Sequence, residues 1–473
     1  MADRISADRL AAVRAREAER FVALRPRGIE AVQEGRATMP NGVPTAWMAT
    51  LYDHPPIVVD GGRGGRFTDV DGNEYVDFNL ADTSMFAGYG DPVLAQAVAE
   101  RLAAGSHFLL PGVDAAAVAR ALGDRFGLPM WQFTLSATQA NTEALRVARA
   151  VTGRDGVVMF DGKYHGHADE LLGALEHDGV APEGLGIPRD ATQHVRLVQY
   201  NDLDGVEREL GRGDVACVMA EAAVTNAGVI LPDEGFHAGL RRLTAEAGAL
   251  LALDETHTLA AGPGGLTAHW SLQPDLLVVG KSIASGIPLG AYGMRADIAA
   301  VLEPPPGASW GEQVATGGTL FANAVAMTAA RVTLEQLLTD AAYEHAAALG
   351  ARLADGIEAV AADHGLPWRA HRLFNRSGYT HAPALPTNAI EARATFDLDL
   401  YNAQRLYMAN RGIWEAIDSA GPACGTHTTG DDVDVYLKTL DGFLSEISHQ
   451  KADPSRGSRA SSPPPGTSPW AAG

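Results

Sequence analysis

The sequence predicts an α/β fold, in which a mainly parallel central sheet is covered by helices and a smaller α+β domain follows. Three observations carry that expectation. Between residue 67 and about residue 320, short apolar runs alternate with longer helical patterns, as chained βαβ units do. Most runs end in polar or glycine-rich residues, where a strand would give way to a turn. From Ala324 to about Ile447 the pattern changes to long alanine-rich helices with few strand-like stretches.

Taken in order, residues 1–65 are expected to form an N-terminal segment that packs with the smaller domain. Its opening stretch, MADRISADRLAAVRAREAERF, mixes acidic and basic residues without an apolar run. It reads as an exposed amphipathic helix and not as a signal peptide. MPNGVPTAWM (39–48) is turn-rich and reads as a loop. FTDVDGNEYVDFN (67–79) reads as a hairpin turning at Asp71-Gly72. In the large domain, residues 66–323, strands are expected at MWQFTL (130–135), GVVMFD (156–161), ACVMAEA (216–222), ALLALDE (249–255) and LLVVGKS (276–282). Helices are expected between them, at NTEALRVARAVTG (141–153) and GFHAGLRRLTAEAG (235–248). Residues 324–450 form the predicted smaller domain. The tail, residues 451–473, is rich in Ser, Pro and Gly with little to bury, which predicts disorder.

At 473 residues the chain is long enough for one large or two intertwined domains with a deep, dry pocket. Its formal net charge of −21 argues against a nucleic-acid partner, since phosphate binding needs clustered Lys and Arg. No stretch of about 18 apolar residues lacks charges, so no membrane span is expected. Cys217 and Cys424 form no CxxC pair. That disfavours a disulfide framework or zinc site and fits buried thiols in a reducing compartment. A cytoplasmic protein is the expectation.

Ligands of parallel sheets bind beyond the carboxyl ends of the strands, so the residues just after each run are the candidates. Asp254 closes LLALD, and Lys281 follows the next apolar run in VVGKSIASGIPLGAYG. Adjacent parallel strands would face a carboxylate and a lysine into one cleft. A buried lysine loses its proton readily and attacks carbonyls. A carboxylate opposite can keep a pyridine nitrogen protonated and its ring an electron sink. These two residues alone also fit a plain ion pair. LSATQANTEALRVARA adds Ser136, Ala137 and Thr138 between a strand and a helix. Small residues and free N–H groups there suit a phosphate or, for Ser and Thr, an ordinary helix cap. Tyr164, in FDGKYHGHADE, follows another predicted strand and offers a ring to stack on a flat cofactor. His165 and His167 in that segment lack the spacing of a helical zinc pair, and no metal is expected.

Together these segments resemble the class III aminotransferases, fold type I enzymes that use pyridoxal 5′-phosphate. The resemblance is strongest to the branch holding glutamate-1-semialdehyde aminomutase and the β-amino-acid and amine transaminases. Its marks, spread over roughly residues 35 to 445, are VDGNEYVDF, ALRVARAVTGR, YHGHADE, NAGVILPDEGF, LLALDE, PDLLVVGKS, GIPLGAYG and GGTLFANAVAMTAA. The resemblance implies that residues 66–323 bind the cofactor, and that Lys281 holds it as a Schiff base and serves as the base for the proton shift. It implies that Asp254 binds the pyridine nitrogen, that Ser136, Ala137 and Thr138 contact the phosphate, and that Tyr164 stacks on the ring. Glu221 corresponds to an acidic residue near the cofactor's hydroxyl, and Thr256 to a residue packed on the cofactor face. Thr319, in TGGTLFAN, would reach the phosphate of the neighbouring subunit's cofactor, which implies a homodimer with shared active sites.

The chain also departs from the family. SATQA stands where SGTEA is usual, EAAVTNAG where EP is usual, and DETHTLAAG where DEV precedes small residues and often an arginine. Thr256 adds a hydroxyl that needs a partner, and His257 reads as a packing or hydrogen-bonding residue. Arginine suits a substrate carboxylate, yet MPNGVPTAWM and DETHTLAAG contain none, and NRGIWEAIDSAGPACG offers only Arg411. Arg376, in LFNRSGYT, is the remaining candidate, with a surface or interdomain salt bridge as its alternative. Trp47, Phe86 and Tyr89 are candidates to line an apolar or aromatic substrate pocket, with core packing as the rival explanation. The expected function is ping-pong transamination, in which an amine or β-amino acid donor passes nitrogen to a keto or aldehyde acceptor. A 2,1-aminomutase of the glutamate-1-semialdehyde type, which performs both half-reactions on one molecule, and a lyase on the same scaffold are the alternatives.

Overall fold

The computed structural model describes residues 4–176, 179–415 and 421–449; the tail expected to be disordered lies outside them. Seven strands form the central sheet: β1 (Met130–Thr134), β2 (Gly156–Phe160), β3 (Val195–Val198), β4 (Val215–Glu221), β5 (Leu250–Asp254), β6 (Leu276–Val279) and β7 (Gly290–Met294). Their spatial order is β1-β7-β6-β5-β4-β2-β3. Strands β2 to β6 are parallel, and β7 is antiparallel to both β6 and β1. The sheet is mainly parallel, as expected. The two strands that the apolar runs do not announce are β3, four residues long with an arginine inside, and β7, whose two glycines weaken any strand signal.

Strand β4 is buried at every position, which explains its unbroken apolar run. Its side chains alternate between two helical layers. Cys217 and Met219 pack with Leu145 and Ala148 of the helix Ala137–Thr152. Val218 and Ala220 pack with Leu240 and Leu243 of the helix Phe236–Ala247. Each strand therefore delivers its last residue to the carboxyl edge of a sheet covered on both sides.

A second core lies among Leu353, Ile357, Trp368, Tyr436 and Phe443, supplied mainly by the helices Asp340–Asp363 and Gly430–Ile447. The hairpin at Asp71-Gly72 forms as expected, with Arg66–Asp69 antiparallel to Glu74–Asp77. Its second strand pairs in parallel with Ile413–Trp414, so the two ends of the chain share one small sheet. The first helix, Ala7–Ala23, is less exposed than its charges suggest. Val13, Glu17 and Phe21 are buried on one face, and Glu17 accepts from Asn410 Nδ2 at 2.8 Å and Arg411 Nη1 at 3.2 Å. A charge enters a core at tolerable cost only when paired in this way. MPNGVPTAWM is mostly loop, with a turn at Pro40–Gly42 and one helical turn starting at Trp47. Among the described residues no helix is long and apolar enough to cross a membrane.

Candidate active site

Strand register brings three functional groups to one edge. Asp254 pairs with Glu221 on β4 and with Val278 on β6, and Lys281 follows two residues after β6. Lys281 has φ 49°, a left-handed conformation that costs a side-chain-bearing residue about 1–2 kcal/mol. Strain of this kind concentrates where surroundings dictate the backbone. Gly280 allows close approach at this turn, because a Cβ there would lie 2.9 Å from the Cβ of Ala137. The turn bearing Lys281 thus lies against the amino end of the helix Ala137–Thr152. Ser136, Ala137, Thr138, Tyr164, Glu221, Asp254, Thr256 and Lys281, all singled out from the sequence, line one cavity of about 260 Å³.

Asp254 is buried and bracketed. Its Oδ2 accepts from Asn141 Nδ2 at 2.7 Å and lies 2.9 Å from His165 Nδ1, and its Oδ1 accepts the Thr256 N–H at 3.0 Å. Burial alone would raise its pKa, but the His165 contact and the bond from the Thr256 N–H outweigh that and hold it below the ordinary value. Asn141 and His165 were not among the candidates. The available signal for Asn141 is its helical spacing, one turn after Thr138. For His165 it is adjacency to Tyr164.

A second carboxylate, Asp82, reaches the site from a loop. Its Oδ2 contacts Lys281 Nζ and lies 3.5 Å from His257 Nε2. Burial pushes Asp82 up, yet Lys281 and His257 together carry it well below the ordinary carboxylate range. Leu80, Ala81, Asp82 and Thr83 have φ values of 55°, 46°, 54° and 64°, four left-handed residues in succession without a glycine. Asp77 fastens the start of this turn, accepting from the Asn79 and Leu80 N–H groups at 2.7 and 2.8 Å. Nothing in LADTS announces such a conformation. On the far side, Thr225 Oγ1 lies 2.8 Å from Glu221 Oε2 and 2.7 Å from His257 Nδ1. Burial drives the Glu221 carboxyl up to about 7 and the His257 imidazole down to about 4.

The remaining candidates separate. Thr319 is exposed and lies outside this cavity; its loop is tied to the helix Ala137–Thr152 by the Gly317 N–H, which donates to Glu143 Oε1 at 2.6 Å. Trp47 and Tyr89 line a neighbouring cavity of about 870 Å³ with Val43, Leu51 and Trp414, and Asp82 forms part of its wall. Phe86 lines neither cavity. It is fully buried, with its ring stacked 5.3 Å from that of Tyr343, so it is a core residue; truncating such a ring costs about 3–5 kcal/mol. Arg376 makes no ion pair at the surface. It is buried, and its Nε and Nη2 have no hydrogen-bond partner among the described residues, while Asp82 and Glu221 are the acidic groups near enough to act on it. Arg411 is committed elsewhere, to Glu17 and to the ring of Tyr407. No cluster of three or more His, Cys, Asp or Glu side chains suited to a metal occurs among the described residues.

Residues 47–367 match the sequence pattern of the class-III aminotransferases. The chain is 33% identical over 434 residues to glutamate-1-semialdehyde 2,1-aminomutase 1 of Staphylococcus carnosus, covering 90% of this chain and 99% of that protein. A crystal structure of a glutamate-1-semialdehyde aminomutase from Pseudomonas aeruginosa superposes with a TM-score of 0.89 at 37% identity, covering 94% of this chain and 99% of that one. An omega-transaminase from Sphaerobacter thermophilus gives a TM-score of 0.80 at 27% identity, over 89% and 97% of the two chains.

Proposed function

Because the chain belongs to the class-III aminotransferase family, we propose that it moves an amino group with pyridoxal 5′-phosphate held through Lys281. The observation that carries this reading is the convergence of Lys281, Asp254 and the amino end of the helix Ala137–Thr152 on one cavity. The residues fit the group: a helix N-terminus favours a phosphate, and an anionic, bracketed Asp254 suits a protonated pyridine nitrogen. When bound, the cofactor supplies an electron sink for a carbanion formed next to nitrogen.

The chain's own residues do the rest. Ser136, Ala137 and Thr138 anchor the phosphate. Asp254, kept ionised by His165 and the Thr256 N–H, holds the ring nitrogen's proton. Tyr164 and Thr256 cover the ring, and Glu221 stands by its hydroxyl. The Nζ of Lys281 accepts and returns the migrating proton. Thr319 serves the cofactor of a second copy, so the working unit is a homodimer. The two unpaired buried cysteines suit a reducing, cytoplasmic setting.

Similarity to two glutamate-1-semialdehyde aminomutases supports transfer within one amino aldehyde over the two-substrate transamination expected from the sequence, and we take the intramolecular reaction as the first reading. The second reading is transamination of an amine with a large apolar substituent. It is favoured by the 870 Å³ cavity, whose walls of Trp47, Tyr89 and Trp414 carry no arginine. Offering a vicinal amino aldehyde without any keto acid separates the two. Isomerisation under those conditions supports the first reading. Turnover only when an arylalkylamine and a keto acid are supplied together overturns it in favour of the second, and release of ammonia with no amino form of the cofactor overturns both.

A further inference from the structure

Between Glu221 and Lys281 runs a line of contacts through Thr225, His257 and Asp82, three residues to which the transfer reaction assigns no role. Glu221, Thr225 and His257 are all buried. The hydroxyl of Thr225 meets Glu221 Oε2 on one side and His257 Nδ1 on the other, at 2.8 and 2.7 Å. His257 Nε2 faces Asp82 Oδ2 at 3.5 Å, and that oxygen also contacts Lys281 Nζ.

A hydroxyl has one hydrogen to give, so the two neighbours of Thr225 compete for it. If Glu221 receives it, His257 must donate from Nδ1. A neutral ring then turns its Nε2 lone pair towards the Asp82 carboxylate, acceptor against acceptor. If His257 receives it, Glu221 must donate as a carboxylic acid, and the ring carries its hydrogen on Nε2, aimed at Asp82. With a neutral ring, only the second arrangement matches donor to acceptor along this line, and the Thr225 N–H, which donates to Glu221 Oε2 at 3.1 Å, still meets a lone pair on that oxygen. Asn226 Nδ2, 3.5 Å from His257 Nδ1, is likewise a donor facing an acceptor in that arrangement.

The charges around the ring agree. Burial, Lys281 and Arg376 disfavour an imidazolium and outweigh Asp82, which favours it. Burial and Asp254 keep the proton on Glu221 against the opposing pull of His165, Thr225 and the Tyr164 N–H. Asp82 needs such a tether, because it sits within the left-handed run Leu80–Thr83 and its side chain is 31% exposed.

We propose that His257 is a positioning residue: held with its hydrogen on Nε2 by Glu221 through Thr225, it fixes the Asp82 carboxylate against Nζ of Lys281. The full-length protein carrying pyridoxal 5′-phosphate, with isotope-labelled histidine ring nitrogens, provides the test. Nuclear magnetic resonance at a pH between the His257 and Glu221 values of about 4 and about 7 is expected to show His257, identified by its loss in His257→Asn, as the neutral Nε2–H tautomer. Thr225→Val is expected to shift it towards Nδ1–H, while Glu221→Gln, whose amide can donate to Thr225, keeps Nε2–H. The pH midpoint of the bound cofactor's absorption change is expected to move by about one unit in His257→Asn and Thr225→Val. An Nδ1–H or imidazolium form in the unmodified protein overturns the proposal, as does an unmoved midpoint in both folded variants. No substrate is present in either measurement, so an error about the reaction leaves the outcome intact.

Discussion

Asp254 ends a central strand in ordinary extended backbone and takes its bonds from Asn141, His165 and the Thr256 N–H, whereas Asp82 rides on four left-handed residues and meets Lys281 and His257. Both carboxylates are held below the ordinary range against the effect of burial, but by different means. Asp254 is stabilised largely by groups outside the reaction, so its charge is a fixed property of the scaffold. Asp82 depends on the Lys281 side chain and on a histidine that must hold the right tautomer. The strand-end carboxylate is therefore preorganised, and the loop carboxylate is conditional.

Substitutions that separate the two carboxylates should differ in size. The largest effect belongs to Lys281: Lys281→Ala is expected to lower turnover by about a thousandfold or more and to abolish the absorption band of lysine-bound cofactor. Asp254→Asn comes next, with an expected loss of roughly 10²–10³-fold in turnover and weaker cofactor retention on dialysis. A wild-type rate in that variant would mean that the bracketed charge is not what the ring needs.

Glu221 supplies a pH test. Its carboxyl titrates near 7 in the folded protein, above an unfolded value of about 4.3. Below the lower value both states are protonated. As the pH rises the unfolded chain releases its proton first, so stability falls across that window and levels off beyond 7. Glu221→Gln removes this fall, and the variant should gain on the parent by on the order of 3 kcal/mol in denaturant unfolding followed from acid to neutral pH. Asp82→Asn should have the smallest effect, about ten- to a hundredfold on turnover, the size of one charge-assisted hydrogen bond of roughly 1.5–3 kcal/mol, with cofactor retained. A larger loss than for Asp254→Asn would reverse the comparison.

The same contrast explains what could be read from the residues. Asp254 and Lys281 each stand at the end of an apolar run, a position that in a parallel sheet faces the cleft, whereas Glu221 was implied only by the family resemblance. Ser136, Ala137 and Thr138 were visible because they stand in a strand-to-helix turn ahead of Asp254 and Lys281, although such a turn also suits an ordinary helix cap, and Ser136 does cap the helix Ala137–Thr152. Asn141 and His165 were not, since a buried polar partner has no pattern of its own until the group it bonds is located. Phe86 stood as a pocket candidate beside Trp47 and Tyr89 because an aromatic side chain suits a core and a cleft equally in sequence. Arg376 stood as the candidate for a substrate carboxylate, with a surface or interdomain ion pair as its alternative; its burial without a hydrogen-bond partner at Nε or Nη2 was not legible, because such burial is costly and is not the expectation for any arginine.

By itself the sequence determined the alternating strands and helices, the order of the strand-end groups and the family to which they belong, because periodicity and local spacing act over a few residues. Only the tertiary structure decided that Asp82 reaches Lys281, that Thr225 and His257 link it to Glu221, and that Arg376 is enclosed. Those contacts join residues as much as 199 positions apart. They depend on a left-handed turn and a donor count that exist only once the chain has closed around the cavity.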